Sequence, residues 1–177
     1  MNVKRVVNGF LEENCYIVTN DKDECLVIDP GSEGERIIDF IKMSGSKVLG
    51  ILVTHYHFDH IGALEQLMSA FEIDKVIDYK SEGKCALGDF EFEVILNFGH
   101  TLDSASFYFE KEKVIFTGDF IFKDTIGNYN KEDEEEMIRS LKAFVNMPGD
   151  IIIYPGHGKS TSTTYEVNNN PYLRGLL

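Results

Sequence analysis

Four apolar segments of this chain, each of strand length, end the same way. Each closes in a small or polar residue and is followed at once by histidine or aspartate. Val48–Thr54 leads to His55, Val94–Gly99 to His100, Val114–Gly118 to Asp119 and Ile151–Gly156 to His157. Open α/β sheets build their sites in the loops beyond strand carboxyl ends, so four such endings can meet along one edge. Glycine at 99, 118 and 156 lets the backbone turn sharply at that edge.

The segments between these strands read as alternating elements. Val3–Val7, Tyr16–Thr19 and Cys25–Asp29 are expected strands, and Pro30-Gly31 turns the chain. Ser32-x-x-Glu35 reads as a capping box opening a helix with Ile37, Ile38 and Ile41 inside and Gly45 as its stop. A second helix is expected from about Gly62 to Phe71, with Leu64, Leu67 and Met68 at helical spacing. Val76–Tyr79, the alternating Phe90–Val94, Ser106–Phe109 and Val114–Phe116 read as strands. Met137, Ile138, Leu141, Phe144 and Val145 stripe a third helix, whose first turns are the acidic run Glu132–Glu136. Interleaved strands and helices without an internal linker predict one layered α/β domain over residues 1–177.

All five histidines of the chain stand at metal-like positions, three of them in His55-Tyr56-His57-Phe58-Asp59-His60. In extended backbone, residues two apart point the same way, so His55 and His57 can grip one ion. Asp59 and His60 then lie on a loop entering the Gly62 helix, free to face a neighbouring ion. Asp119, as a carboxylate, can bridge two cations. Five imidazoles and two carboxylates suit two borderline-soft cations with an exchangeable water between them. Asp29 in Asp29-Pro30-Gly31 is either a plain turn residue or a carboxylate orienting a ligand histidine, and Thr54 and Thr101 are further outer-sphere candidates. Gly158-Lys159-Ser160 is no P-loop, because the glycine required five residues earlier is Ile153.

Net charge of −13 argues against nucleic acid or anionic membrane as the main partner. Cys15, Cys25 and Cys85 read as reduced thiols, and no signal peptide or membrane span is expected, so the expected location is cytoplasmic.

Taken together, Thr54-His55-x-His57-x-Asp59-His60, Gly99-His100-Thr101, Thr117-Gly118-Asp119 and Pro155-Gly156-His157-Gly158 resemble the metallo-β-lactamase-fold hydrolases. The likeness runs from Asn14-Cys15-Tyr16 to Asn170-Pro171-Tyr172 and implies a four-layer αββα sandwich. Within that family the chain looks most like small relatives of glyoxalase II, the hydroxyacylglutathione hydrolases, without their C-terminal helical substrate domain. The resemblance implies that His55, His57 and His100 hold one metal and that Asp59, His60 and His157 hold the other, with Asp119 bridging. It implies two divalent ions, Zn²⁺ first and Fe²⁺ or Mn²⁺ as alternatives. A bridging hydroxide would attack a small-molecule thioester, with Asp59 available to accept or donate a proton.

Asp119 counts against antibiotic hydrolysis, since true β-lactamases typically lack it. Gly127-Asn128 stands where relatives commonly carry Gly-Arg, which removes an anion contact from glutathione recognition. A persulfide dioxygenase-like oxidoreductase, with one iron held by His55, His100 and Asp119, is the alternative. The acyl group, the thiol and the oligomeric state are left open.

Overall fold

The computed structural model describes residues 1–176. One sheet comprises β1 (Asn2–Asn8), β2 (Glu13–Thr19), β3 (Glu24–Ile28), β4 (Lys47–Leu52) and β5 (Val76–Ile77), paired in that order. The helices α1 (Gly34–Ser44), α2 (Phe58–Ile61) and α3 (Leu64–Phe71) lie between its later strands in sequence. A second sheet contains β6 (Gly83–Leu87), β7 (Phe90–Leu96), β8 (Ala105–Phe109) and β9 (Val114–Gly118). After the small hairpin β10 (Ile121–Phe122) and β11 (Thr125–Ile126) comes α4 (Glu134–Val145). Then β12 (Ile152–Pro155) and β13 (Thr161–Ser162) complete the second sheet in the order β13-β12-β9-β8-β7-β6, and α5 (Thr163–Asn169) follows.

Three buried clusters define four layers. Tyr16, Leu26, Ile28, Phe92, Phe107 and Phe116 fill the space between the sheets. On the far side of the first sheet, Ile17, Val27 and Ile51 pack against Ile37, Ile41 and Leu67 of α1 and α3. On the far side of the second, Ile115 and Ile153 meet Met137, Leu141 and Phe144 of α4. Each sheet is thus apolar on both faces, as strands covered on both sides require. Burying each such Phe or Ile contributes about 1.5–3 kcal/mol. The αββα sandwich expected from the motifs is the observed architecture. No described helix is long and apolar enough to cross a membrane.

Several expectations are corrected. The helix after Pro30 starts at Gly34, and its cap is Glu33 in a left-handed conformation, with no side-chain capping bond. Glu33 instead accepts from Gly9 N and Arg36 Nη1, so a tertiary tie to the β1–β2 turn displaces the Ser32–Glu35 box. The helix expected from Gly62 is split, and its first part begins at Phe58, which places Asp59 and His60 on a helical turn rather than a loop. Ile138 is 38% exposed and leaves the α4 stripe. The strand at Val76 is only two residues long, and β6 emerges from a segment without strong alternation.

The Ser/Thr-rich stretch after Gly158 supplies both a cap and a helix. Ser162 accepts from Tyr165 N at the start of α5. Buried Glu166 then accepts from Asp124 N at 3.0 Å, Thr161 Oγ1 at 2.6 Å and Asn170 Nδ2 at 2.8 Å. Removing that acceptor strands three donors, so Glu166→Ala is expected to lose about 3 kcal/mol of stability in urea unfolding. Glu166→Gln keeps one acceptor and should lose less.

Candidate metal centre

The strand endings converge as their sequence placement requires. Parallel pairing of β12 with β9 sets Pro155 beside Gly118, and Gly156 N donates to Gly118 O at 2.8 Å. The loops bearing Asp119 and His157 are thereby locked together. The other sheet reaches across to the same loop. Asn14 N donates to Gly156 O at 2.7 Å, Asn14 Nδ2 to Pro155 O at 2.9 Å, and Tyr16 Oη to Pro155 O at 2.6 Å. Asn14 and Tyr16, on one face of β2, therefore fix the loop that carries His157.

Two glycines are demanded by close approach. A side chain on Gly156 would run into Asp119 Oδ1 and come within 2.7 Å of His60 Cε1. Gly118 has φ 50° and sits against Thr54, where a Cβ would collide with the hydroxyl.

The seven candidate residues all meet, in two sets. His57 Nδ1 lies 3.1 Å from both His55 Nε2 and His100 Nε2. Asp59 Oδ2 lies 3.3 Å from His157 Nε2 and 3.8 Å from His60 Nε2. Asp119 stands between the sets. Its Oδ1 is 3.2 Å from His60 Nε2, and its Oδ2 is 3.5 Å from His157 Nε2 and 3.7 Å from His100 Nε2. His55, His57 and His100 can thus hold one cation, and Asp59, His60 and His157 a second.

The rings are oriented from behind. Thr54 Oγ1 donates to Asp29 Oδ2 at 2.6 Å, so its lone pair receives His55 Nδ1–H at 3.1 Å. His60 Nδ1–H donates to Asp29 Oδ2 at 3.0 Å, and Thr54 N to Oδ1 at 2.7 Å. His100 Nδ1–H donates to Asn128 O at 2.6 Å and His157 Nδ1–H to Leu11 O at 3.0 Å. In four rings Nδ1 is occupied and Nε2 is turned inward, the orientation a metal ligand needs; in His55, His100 and His157 this is the neutral Nδ1–H tautomer, while His60 has first to give up its Nε2 proton. Asp29 resolves both of its readings, since it turns the chain at φ 49° and orients His60. The Thr101 hydroxyl is hydrogen-bonded to Asp103 and Ser104 rather than to a ligand ring. The carbonyls of Leu11 and Asn128 were invisible to motif reading, since any residue supplies one.

The electrostatics fit a cation at this place. Burial holds His55 down to about 2, with the neighbouring His60 adding to it. His57 is lowered by burial and by His100. For His60, burial opposes the charged form, but contacts with Asp119 and Asp29 outweigh it and raise the ring above its ordinary value. Burial likewise opposes a charged Asp119, and His60 overrides it and lowers the carboxyl. Despite their closeness, His60 Nε2 and Asp119 Oδ1 are buried without a hydrogen-bond partner in acceptable geometry. Orphaned inward-facing donor atoms, on imidazole and carboxylate, suit a borderline-soft divalent ion.

Comparison with known proteins follows the same lines. The family model described as Metallo-beta-lactamase superfamily matches residues 8–86 and 81–157. Hydroxyacylglutathione hydrolase GloC of Haemophilus influenzae is 31% identical, over 98% of this chain and 98% of its own. The crystal structure of BLEG-1 B3 metallo-beta-lactamase is similar with a TM-score of 0.91 and 28% identity, covering 98% of this chain and 100% of that one. TTHA1623, solved in a di-iron-bound form, gives a TM-score of 0.87 at 28% identity, covering 97% and 100%.

Two outcomes are expected. Asp29→Asn should weaken metal affinity by about 10–100-fold, read by competition with a chelating dye, because it loosens both Thr54 and His60. Since the His60 ring is raised, it holds a proton at neutral pH that a metal must displace. Calorimetry in buffers of different ionisation enthalpy should register proton release on metal uptake, and affinity should fall as pH falls.

Proposed function

The chain belongs to the metallo-β-lactamase superfamily, and on that premise we propose that it is a dinuclear-metal hydrolase of small thioesters. The observation that carries this reading is the Asp119 carboxylate, whose two oxygens reach His60, His100 and His157 and so touch both donor sets. His55, His57 and His100 are the proposed ligands of one ion, and Asp59, His60 and His157 of the other. When bound, the ions supply a water acidified toward neutrality and an electrophile for the carbonyl oxygen.

The chain's own groups do the rest. Asp29 and Thr54 hold His55 and His60 in register, so little reorganisation accompanies reaction. Asp59, on the first turn of α2 and partly open to solvent, is the group placed to carry a proton away. Phe58 beside it and Leu102 beside Thr101 are exposed and give the centre an apolar rim suited to an organic substrate. Among the described residues, no lysine or tyrosine side chain is hydrogen-bonded or ion-paired to the seven ligand residues, so beyond Asp59 and water there is no donor for a leaving amine. A thiolate, with an ordinary pKa of about 8.5, leaves without such help. That difference favours thioesters over amides, and the hydrolase named for the 31%-identical relative supports the same class.

The test is metal analysis beside a substrate panel. Two divalent ions per chain and turnover of acyl-thiol substrates are expected. His57→Ala or Asp119→Asn should cut kcat/KM by at least about a hundredfold with the fold retained by circular dichroism. One iron per chain with oxygen uptake on a persulfide would replace this reading by the mononuclear oxidoreductase. Faster turnover of a β-lactam than of any thioester would replace it by the activity named for BLEG-1.

A further inference from the structure

The two donor sets share part of their support. Asp29 accepts from His60 directly and reaches His55 through Thr54, so it serves both. Asp119 stands between the sets and faces both. Two further ties are not shared. One runs from the β1–β2 hairpin to the loop bearing His157, and the other from Tyr56 to the end of β5.

Asn14 is the centre of the first tie. Its side-chain amide donates to Pro155 O at 2.9 Å and to Gly158 O at 3.0 Å, carbonyls that flank His157, and its main-chain N–H donates to Gly156 O at 2.7 Å. Tyr16 Oη adds a bond to Pro155 O and Arg5 Nη1 one to Gly158 O, while Leu11 O receives the His157 ring itself. Glu13 pairs with His157 as an isolated antiparallel bridge. All of these partners belong to one hairpin. Asn14 is buried, so no bulk water stands ready to replace its amide.

His57 is held differently. Among the described residues, it is the one ligand histidine whose ring has no hydrogen bond from outside the donor cluster. Its place therefore depends on the backbone to either side. After it, His60 N donates to His57 O at 2.9 Å. Before it, Tyr56 Oη donates to Asp78 Oδ2 at 2.7 Å. Asp78 is buried just beyond β5, and its other oxygen accepts from Lys80 N at 3.0 Å, so the acceptor is itself fixed. Asp59 and His60 have an anchor of their own at the far end of α2. There Ala63 N donates to Pro30 O at 2.9 Å, and a side chain on Gly62 would strike Gly31 O.

Resting on the dinuclear reading, we propose that Asn14 and Tyr56 are positioning residues, each for one metal position alone. Asn14 sets His157 and with it the position shared with Asp59 and His60. Tyr56, through Asp78, sets His57 and with it the position shared with His55 and His100. The two positions can then be weakened one at a time, whereas Asp29 and Asp119 act on both. Loss of the hairpin tie leaves three imidazoles in place for one cation, and loss of the Tyr56 tie leaves Asp59, His60 and His157 in place for the other.

The experiment titrates metal-free protein with zinc against a chelating dye and follows the histidine ring nitrogens by NMR, which tells the two positions apart. Asn14→Leu should weaken the step that moves His157 by at least about tenfold and leave the step that moves His57 and His100 within about threefold. Tyr56→Phe should do the reverse. Both steps weakened alike, or neither moved, would overturn the proposal, because a general loosening of the fold has no such crossed pattern. Tyr16→Phe, which removes one hydroxyl bond to the same loop, takes the place of Asn14→Leu if that variant does not fold. If wild-type protein binds a single ion, the dinuclear reading fails by itself, and the ties are judged in the metal-free protein. There Asn14→Leu should shift the His157 ring signals and leave those of His57, and Tyr56→Phe should do the converse. Shifts of both rings in either variant, or of neither, refute the ties.

Discussion

Imidazoles turned toward one another gain nothing from their mutual contact, so a cluster of them has to be held from outside. Here the holding group is Asp29. One oxygen receives the Thr54 amide, and the other receives the Thr54 hydroxyl and the His60 ring. Through the threonine it also fixes His55. A single carboxyl at the end of β3 thus orients residues from the end of β4 and from α2. It does so from a left-handed backbone conformation, φ 49°, that costs a non-glycine residue of order 1 kcal/mol. That strain persists because the surrounding bonds leave the turn no alternative.

The layers follow from the same edge. Ligands at the ends of β4 and β9 must approach closely, and each strand belongs to a different sheet. Tyr16 and Asn14 bridge that gap by reaching from β2 to the Pro155 carbonyl. The apolar filling between the sheets sets the spacing, and these polar bonds at its rim set the register. The motif residues before and after the histidines are thus read as spacers and ties rather than as ligands.

Much of this was legible in the sequence. Four strands that each end before a histidine or aspartate, and helical stripes at Ile37, Ile38, Ile41 and Met137, Leu141, Phe144, carry the layer order and the candidate ligands. What escaped reading has physical reasons. The Leu11 and Asn128 carbonyls bear no side-chain signature. The Ser32 cap lost to a long-range bond, since Glu33 reaches the β1–β2 turn. The last helix hid behind Thr and Ser because its stability comes from the buried Glu166 network and not from propensity. Asn8 and Glu13 lie outside the strands expected at Val3–Val7 and Tyr16–Thr19, and only the register of the hairpin pairs them beneath the helices.

The distribution of donors along the chain also gives the centre an order of assembly. His55, His57 and His100 all precede α4, whereas the second set waits for His157 beyond β12. The span to be closed is roughly twice as long for that second set, yet a doubled loop adds only about 0.6 kcal/mol of closure entropy. The difference is one of time rather than of energy. As a chain emerges from the ribosome, four imidazoles, the three of the first set and His60, become available first, the bridging carboxylate next, and the closing histidine only when β12 can pair with β9. A cation captured early would be handled by half a centre, and its neighbour would arrive with the last strand of the second sheet's interior.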